Sequence, residues 1–189
     1  GTIRFQGRDI TGWDVTDVCQ IGLTKSYQVN QLFTKLTVRQ NLAISALAAA
    51  RGRFRIDLLR RATHVPGVTA QIAHTLALIG LTGRADVAVS DLAYGEKRRV
   101  EIGLALASEP TLLLLDEPLA GMSPQERGET VQLLKRIRVS RTLIVVGQAQ
   151  GLQDATLGLL REGAAPPALI ARAQRHFPNA ATAVARPRV

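Results

Sequence analysis

The period of apolar and polar positions changes several times along the chain. In "GTIRFQGRDITG", Ile3 and Phe5 alternate with Thr2, Arg4 and Gln6, and Gly7 stands near the break, so the stretch predicts a hairpin. "LTVRQNLAISALAAAR" switches to a helical period. Val38, Leu42, Ala46 and Ala49 share one face, and Thr37 and Gln40 have the spacing of a capping box. The pattern breaks near Pro66 and Gly67. "TAQIAHTLALIG" then predicts a second helix with Ile72, Leu76 and Ile79 on one face and Gly80 as its stop. "GEKRRVEIGLALASEP" predicts a third, ending before Pro110. Ser123, Pro124 and Glu126 supply an N-cap, a first-turn proline and a capping-box partner for a fourth, with Val131 and Leu134 on its buried face. Two short runs, Leu112 to Leu115 and "TLIVVG" from Thr142, have no alternation and predict strands covered on both faces, as in a parallel sheet. The order is hairpin, helical block, helix, strand, helix, strand: an α/β architecture with an inserted helical segment.

Composition limits the classes. The 189 residues are 46% hydrophobic, 21% charged and 4% aromatic, which suits a soluble globular protein with a real core. Cys19 is the only cysteine, so no internal disulfide can form, and a cytosolic location fits. No apolar run has the length of a membrane span and no signal peptide is present. The chain starts at Gly1 directly in a strand-like stretch and reads as the inside of a longer protein. A net charge of +9 raises nucleic acid or an anionic surface as partners. No basic run with interleaved aromatics and no nucleic-acid motif accompanies it, so nucleic acid is not among the expected partners. His64, His74 and His176 are scattered without metal-ligand spacing, and no strand-bounded G-x-S-x-G is present.

The candidate chemistry lies in "TLLLLDEPLAGMSP". An apolar strand ends on Asp116 and Glu117. Neighbouring carboxylates repel, and burial disfavours the charge of each. A divalent cation and a polarised water offset both costs. Phosphoryl transfer uses such a pair, one carboxylate at Mg²⁺ and the next on the attacking water. The same residues also fit a core strand followed by a capped turn.

"LAYGEKRRVEIGLALASEPTLLLLDEPLAGMSP" strongly resembles the signature and Walker B region of ABC-transporter ATPases, most of all the ATP-binding subunits of branched-chain amino-acid importers. Upstream, "GLTKSYQVNQLFTKLTVRQNL" resembles the Q-loop segment of that family. The resemblance runs from Gly1 to about Val146. It implies a partial P-loop NTPase core with an inserted helical subdomain: core over 1–28, helical subdomain over 29–95, core again over 96–150, and a divergent tail over 151–189. It also implies roles. Asp116 would support Mg²⁺ bound to ATP, and Glu117 would be the general base. Gln28 would touch Mg²⁺ and water and couple them to a transmembrane partner. Ala93, Tyr94, Gly95 and Glu96 would form the signature turn, whose backbone N–H groups meet the phosphate of ATP held by another subunit. Ala93 replaces the more widespread serine and removes a hydroxyl. Ala120, Gly121, Met122 and Ser123 would form the D-loop, a dimer contact.

The cofactors implied are ATP and Mg²⁺. The partners implied are a second ATP-binding subunit, transmembrane permease subunits and, indirectly, a periplasmic substrate-binding protein. The location implied is the cytoplasmic face of the plasma membrane, as a peripheral protein.

Departures from the family pattern are as informative. The sequence has no G-x-x-x-x-G-K-[ST] phosphate loop and no Gly-Lys pair. Gln148 stands at the position of the family's histidine that contacts the γ-phosphate, and an amide carries neither proton nor positive charge there. From Gly151 onward there are ten alanines, four prolines and five arginines, and Pro166 and Pro167 argue against regular structure. The tail is expected to be disordered, apart from a short amphipathic helix in "PALIARAQRHF". The expected function is ATP binding and hydrolysis driving branched-chain amino-acid uptake. Two alternatives stand beside it. One is a non-hydrolysing subunit that contributes only its signature face, and the other is an ABC ATPase for another cargo such as urea or a lipid.

Overall fold

A computed structural model describes residues 1–26, 32–51, 67–148 and 180–185, with the side chains of 51, 147–148 and 180–185 outside the description. The chain opens with a hairpin of β1 (Arg4–Phe5) and β2 (Arg8–Asp9), antiparallel with Phe5 opposite Arg8. Its two-residue loop is Gln6 and Gly7, both at positive φ (48° and 78°). That pair of left-handed residues gives the tight turn whose twist matches the strands. A short helix α1 (Val15–Gln20) follows, with the Asp14 carboxylate accepting from the Thr16 N–H. The apolar pattern did not announce α1.

β3 (Leu23–Ser26), β4 (Leu112–Asp116) and β5 (Thr142–Gln148) form a parallel sheet in that spatial order. Leu23 lies beside Leu112, and Asp116 beside Val146. Between β3 and β4 come α2 (Val38–Arg51), α3 (Val68–Leu78) and α4 (Tyr94–Leu106); α5 (Pro124–Ile137) joins β4 to β5. The helices start and stop where their caps stand. At α2 the Gln40 side chain accepts from the Thr37 N–H while the Thr37 hydroxyl accepts from the Gln40 N–H. At the end of α3, Gly80 (φ 68°) takes the left-handed position, and the N–H groups of Gly80 and Leu81 reach back to the carbonyls of Ala77 and Leu76. Ser123 caps α5, with Pro124 in its first turn and Glu126 completing the box.

One buried cluster joins the helical segment to the sheet. Val38 and Leu42 of α2, Ile72 and Leu76 of α3, Val100, Ile102 and Leu106 of α4, and Leu113 and Leu115 of β4 all belong to it. Gly103 permits a close approach of α4 to its neighbours in the core. A Cβ there would stand 3.0 Å from Ile79 Cδ1 and 3.1 Å from Leu42 Cδ2.

Two expectations need correction. Leu113 and Leu115 are fully buried, but Leu112 and Leu114 are only half-buried. The helices pack on one face of β4, so the strand is not covered equally on both. Secondly, the tail is not without regular structure: β6 (Ala180–Ala185) runs antiparallel to β5, with Leu143 opposite Ala185 and Gln148 opposite Ala180. An alanine-rich strand can still complete a ladder, because backbone groups make the bonds and β5 supplies a partner edge. Pro166, Pro167 and "PALIARAQRHF" lie outside the described residues.

Candidate functional site

The C-terminal end of β4 carries Asp116 and Glu117, the edge of a parallel sheet where ligands gather. Glu117 leaves the strand at φ 45°, a left-handed conformation that costs a residue with a Cβ. Three hydrogen bonds to its backbone hold it there, two from the backbone and one from a side chain. Its N–H donates to the Val146 carbonyl of β5 at 2.7 Å, its carbonyl accepts from the Ala120 N–H at 3.1 Å, and it also accepts from Arg98 Nη2 at 3.0 Å. The same Nη2 donates to the Asp116 carbonyl at 2.9 Å. Arg98 sits on α4, is 9% exposed, and pairs through Nη1 with Glu101 Oε2 at 2.6 Å. Its Nε is buried with no hydrogen-bond partner among the described residues. A buried guanidinium thus ties the signature helix to the turn that presents both carboxylates.

Asp116 is part-exposed and lies 3.5 Å from the ammonium of Lys25 on β3. Lys25 neutralises it in this state, and an incoming cation would take over that role. The donor set fits Mg²⁺ in one form. No group of three or more acidic, histidine or cysteine side chains suited to a metal is found among the described residues. Mg²⁺ keeps its waters and binds through one or two carboxylates plus substrate phosphates, which a lone Asp116 at a strand end can serve. Gln28 lies outside the described residues. Gln148 is the last residue of β5, two positions beyond Val146, the residue beside Asp116, so its backbone sits at the same edge.

The residues expected to form the signature turn are engaged within their own chain. Ala93 is the N-cap of α4 and offers no side-chain acceptor; the box is half-made, by Glu96 Oε2 accepting from the Ala93 N–H at 3.0 Å. Glu96 also pairs with Arg84 at 3.3 Å, so it is engaged within its own chain. Gly95 was expected to offer its N–H to phosphate. In this state that N–H donates to Glu126 Oε1 at 2.8 Å. A Cβ on Gly95 would stand 2.6 Å from that oxygen, so a side chain here would require Glu126 to move; Gly95 is not at a positive φ.

The D-loop packs against the same turn. The Tyr94 hydroxyl donates to the Ala120 carbonyl at 3.3 Å. Gly121 is at φ 71°, and its missing Cβ leaves room for Tyr94 Oη, which a Cβ would meet at 3.1 Å. Ser123 N–H and Oγ both donate to Glu126 Oε2, at 2.9 and 2.7 Å. The Ser123 hydroxyl foremost, then the N–H groups of Ser123 and Gly95, hold the Glu126 carboxyl below its ordinary pKa. Met122, expected as a dimer contact, turns its side chain inward. Its side chain is 4% exposed and accepts from the Thr130 hydroxyl, so it belongs to the core of its own chain.

Sequence reasoning missed Arg98, Lys25 and the second oxygen of Glu126. It also missed Asn41, which is fully buried: its amide donates to the carbonyls of Phe33 and Thr37 and accepts from the Phe33 N–H, fixing the loop that enters α2. An asparagine beside Leu42, on an otherwise apolar helix face, is the signal that could have found it.

A family model described as ABC transporter matches residues 1–120. The high-affinity branched-chain amino acid transport ATP-binding protein LivG of Salmonella typhimurium is 32% identical over 143 residues, covering 73% of this chain and 55% of LivG. BraF of Pseudomonas aeruginosa, named for the same transport, is 30% identical over 151 residues, 77% of this chain and 58% of BraF. The lipoprotein-releasing system ATP-binding protein LolD of Oleidesulfovibrio alaskensis is 30% identical over 153 residues, covering 77% of this chain and 60% of LolD. The chain therefore spans a little over half the length of the curated relatives it matches. Among solved structures, a nucleotide-free ATP-binding cassette from an ABC transporter superposes with a TM-score of 0.66 at 20% identity, covering 82% of this chain and 62% of that one. That likeness establishes the fold, an ABC cassette with parallel strands and helices. By the family match over its first 120 residues, this chain belongs to the ABC transporter ATP-binding family.

Proposed function

We propose that the chain carries the hydrolytic carboxylates and the signature turn of an importer's ATP-binding subunit, and that the cargo is a branched-chain amino acid. The observation that supports it most is the turn after β4, where Arg98 and the Val146 carbonyl hold Glu117 in a left-handed conformation beside Asp116. Backbone strain kept by several bonds at a strand edge is a mark of function. Glu117 would accept a proton from the attacking water, and Asp116 would hold Mg²⁺. The ion would neutralise phosphate charge as it develops. Gln28 and Gln148 would line the same edge, Gln28 toward Mg²⁺ and water. The signature turn, Ala93 to Glu96, would meet ATP held by a second ATP-binding subunit, with Ala120, Gly121 and Ser123 beside it.

No helix among the described residues is long and apolar enough to cross a membrane. By the family resemblance, membrane association would come through a permease contact at the cytoplasmic face. Phe33, at 54% exposure, and Ile44, at 42%, stand on the surface of the segment that would meet it. A periplasmic binding protein would deliver the cargo to that permease. LivG and BraF support this cargo, while LolD, named for lipoprotein release, keeps other cargoes in view.

The second reading, a subunit that contributes only its signature face, is favoured by Gln148, which stands where the family pattern has a histidine on the γ-phosphate. One experiment separates the readings. The gene is deleted in its host, and uptake of labelled leucine and of urea is measured. The wild-type gene, Glu117→Gln and Gly95→Asp are each then returned. Leucine uptake lost on deletion, and restored by the wild type alone, supports hydrolysis by this chain. Restoration by Glu117→Gln but not Gly95→Asp supports the signature-only reading. Leucine uptake untouched by deletion removes the cargo assignment.

A further inference from the structure

Glu126 divides its carboxylate between two duties. Oε2 accepts from the Ser123 N–H and hydroxyl, which is ordinary helix capping. Oε1 crosses to another helix and accepts from the Gly95 N–H at 2.8 Å. Capping alone does not require that second bond, because one oxygen already serves Ser123. Gly95 lies in the first turn of α4, a 13-residue helix whose N-terminal N–H groups favour an anion. Glu126 supplies the anion from within the chain. The surroundings keep the arrangement compact: Tyr94 bonds the Ala120 carbonyl across the same gap, and Arg99 pairs with Glu129 at 3.3 Å one turn further along both helices.

We propose that Glu126 is a positioning residue that occupies the signature turn until the partner's ATP arrives, and so sets how much ATP is needed to close the two subunits. This rests on the reading that Gly95 faces a partner's phosphate. Two anions cannot share one N–H donor: the phosphate must displace Oε1, and the carboxylate charge left nearby repels it. Oε2 can stay on Ser123 while Oε1 turns away, so the cap of α5 survives the exchange. The same movement shifts load onto Ser123, which couples arrival of phosphate at α4 to the D-loop. The chain would thus resist closure at low ATP through a residue that touches neither Mg²⁺ nor the attacking water.

The test uses the chain copurified from its host with its phosphate-loop-bearing partner subunit, hydrolysis in the partner being blocked. Association is followed by fluorescence transfer between labels as Mg²⁺–ATP is titrated. Glu126→Gln keeps the shape and an oxygen for Ser123 but removes the charge. Glu126→Ala removes both bonds, and Gly95→Asp is the control on the underlying reading. With its single oxygen on Ser123, glutamine turns its NH2 toward the Gly95 N–H and makes no bond there, so both variants lose the contact to Gly95. The half-maximal ATP concentration is therefore expected to fall roughly tenfold in Glu126→Gln, with a similar fall in Glu126→Ala. A merely structural role predicts weaker association in step with a lower melting temperature, and thermal unfolding of each variant reads that out. Unchanged or weaker ATP response in Glu126→Gln, with Gly95→Asp still abolishing association, overturns the proposal and leaves the functional reading standing. Association indifferent to both ATP and Gly95→Asp removes the reading and the proposal together.

Discussion

Arg98, on α4, donates to the carbonyl of Glu117 at 3.0 Å, and it does so with a guanidinium that is itself paired to the buried Glu101. The arrangement links the helix of the signature turn to the residue expected to activate water. Removing Arg98 strands a buried carboxylate, which costs about 3–5 kcal/mol for a pair of this kind. Arg98→Met should therefore destabilise strongly, and Arg98→Met with Glu101→Met should recover much of the loss, because no charge then remains unpaired. Urea unfolding of the two variants and the wild type checks this. A double variant no better than the single would show that the bonds to the Asp116 and Glu117 carbonyls, and not the buried charge, dominate.

Much of the fold was legible in local pattern. Thr37 with Gln40, Gly80, and Ser123 with Pro124 and Glu126 each mark a helix end by side-chain chemistry that acts within a few residues, and the structure places α2, α3 and α5 accordingly. What escaped was non-local. β6 is a strand because β5 offers it an edge, and nothing in "AATAVA" itself demands that. The α1 helix is six residues long, too short for a period to declare itself, though its Asp14 cap was readable. At the site, Asp116 and Glu117 stood out because adjacent carboxylates after an apolar run are chemically costly. Lys25, Arg98 and the Glu126–Gly95 bond could not stand out, because each depends on which helix or strand lies opposite.

The strand β6 leads to a second prediction. Its ladder to β5 covers an edge that includes the buried Leu143 and Val145. Open edges of apolar strands template association with other chains. Ending the chain after Asn179 should leave β5 exposed and increase aggregation, read as light scattering on slow warming. Equal scattering from the shortened and the full chain would show that β6 does not protect the edge.

Asn41 makes a third. Alanine there leaves the Phe33 N–H without its acceptor in a fully buried position, while the Phe33 and Thr37 carbonyls lose the amide but keep the backbone N–H groups of Leu36 and Asn41. Buried polar groups left unpaired cost about 1–3 kcal/mol each, though those near the surface regain water. Asn41→Ala should lower stability by about 2 kcal/mol and expose the loop from Phe33 to Leu36 to proteolysis. Asn41→Asp keeps the acceptor but loses the amide donors, and should fall in the same direction. Wild-type protease resistance in Asn41→Ala would sink the idea.

The acid limb of stability is the fourth. Arg39 donates to both oxygens of Asp86, at 2.8 and 3.0 Å, and this bonding foremost holds the Asp86 carboxyl below its ordinary value. Ser123 does the same for Glu126. A carboxyl depressed on folding contributes stability above its unfolded pKa, near 4, and loses it as pH falls through the lower folded value. Titration of the carboxyl carbons by NMR should give midpoints for both residues below those of free peptides. Arg39→Gln should return Asp86 toward the ordinary value and leave Glu126 where it was. Movement of Glu126 in that variant would mean the depression has a cause other than its local bonds.

The last prediction concerns turnover by the chain of this sequence. Glu117 is proposed as the general base, but general-base catalysis supplies only about 10²–10⁴-fold. Phosphoryl transfer depends chiefly on positioning and on stabilising charge as it develops. The sequence contains no phosphate loop to hold the β- and γ-phosphates, and Gln148 stands where a histidine would contact the γ-phosphate. Asp116, already paired with Lys25, would bind Mg²⁺–ATP weakly by itself. The chain should therefore hydrolyse no ATP above background. A version with a family-type phosphate-loop segment joined ahead of Gly1 and Gln148→His should hydrolyse it, and should lose that activity with Glu117→Gln. Phosphate release is measured for all four proteins. Hydrolysis by the unextended chain that vanishes with Glu117→Gln would mean that other residues grip the phosphates, and the basic groups closest to Asp116, Lys25 foremost, would be the first to replace.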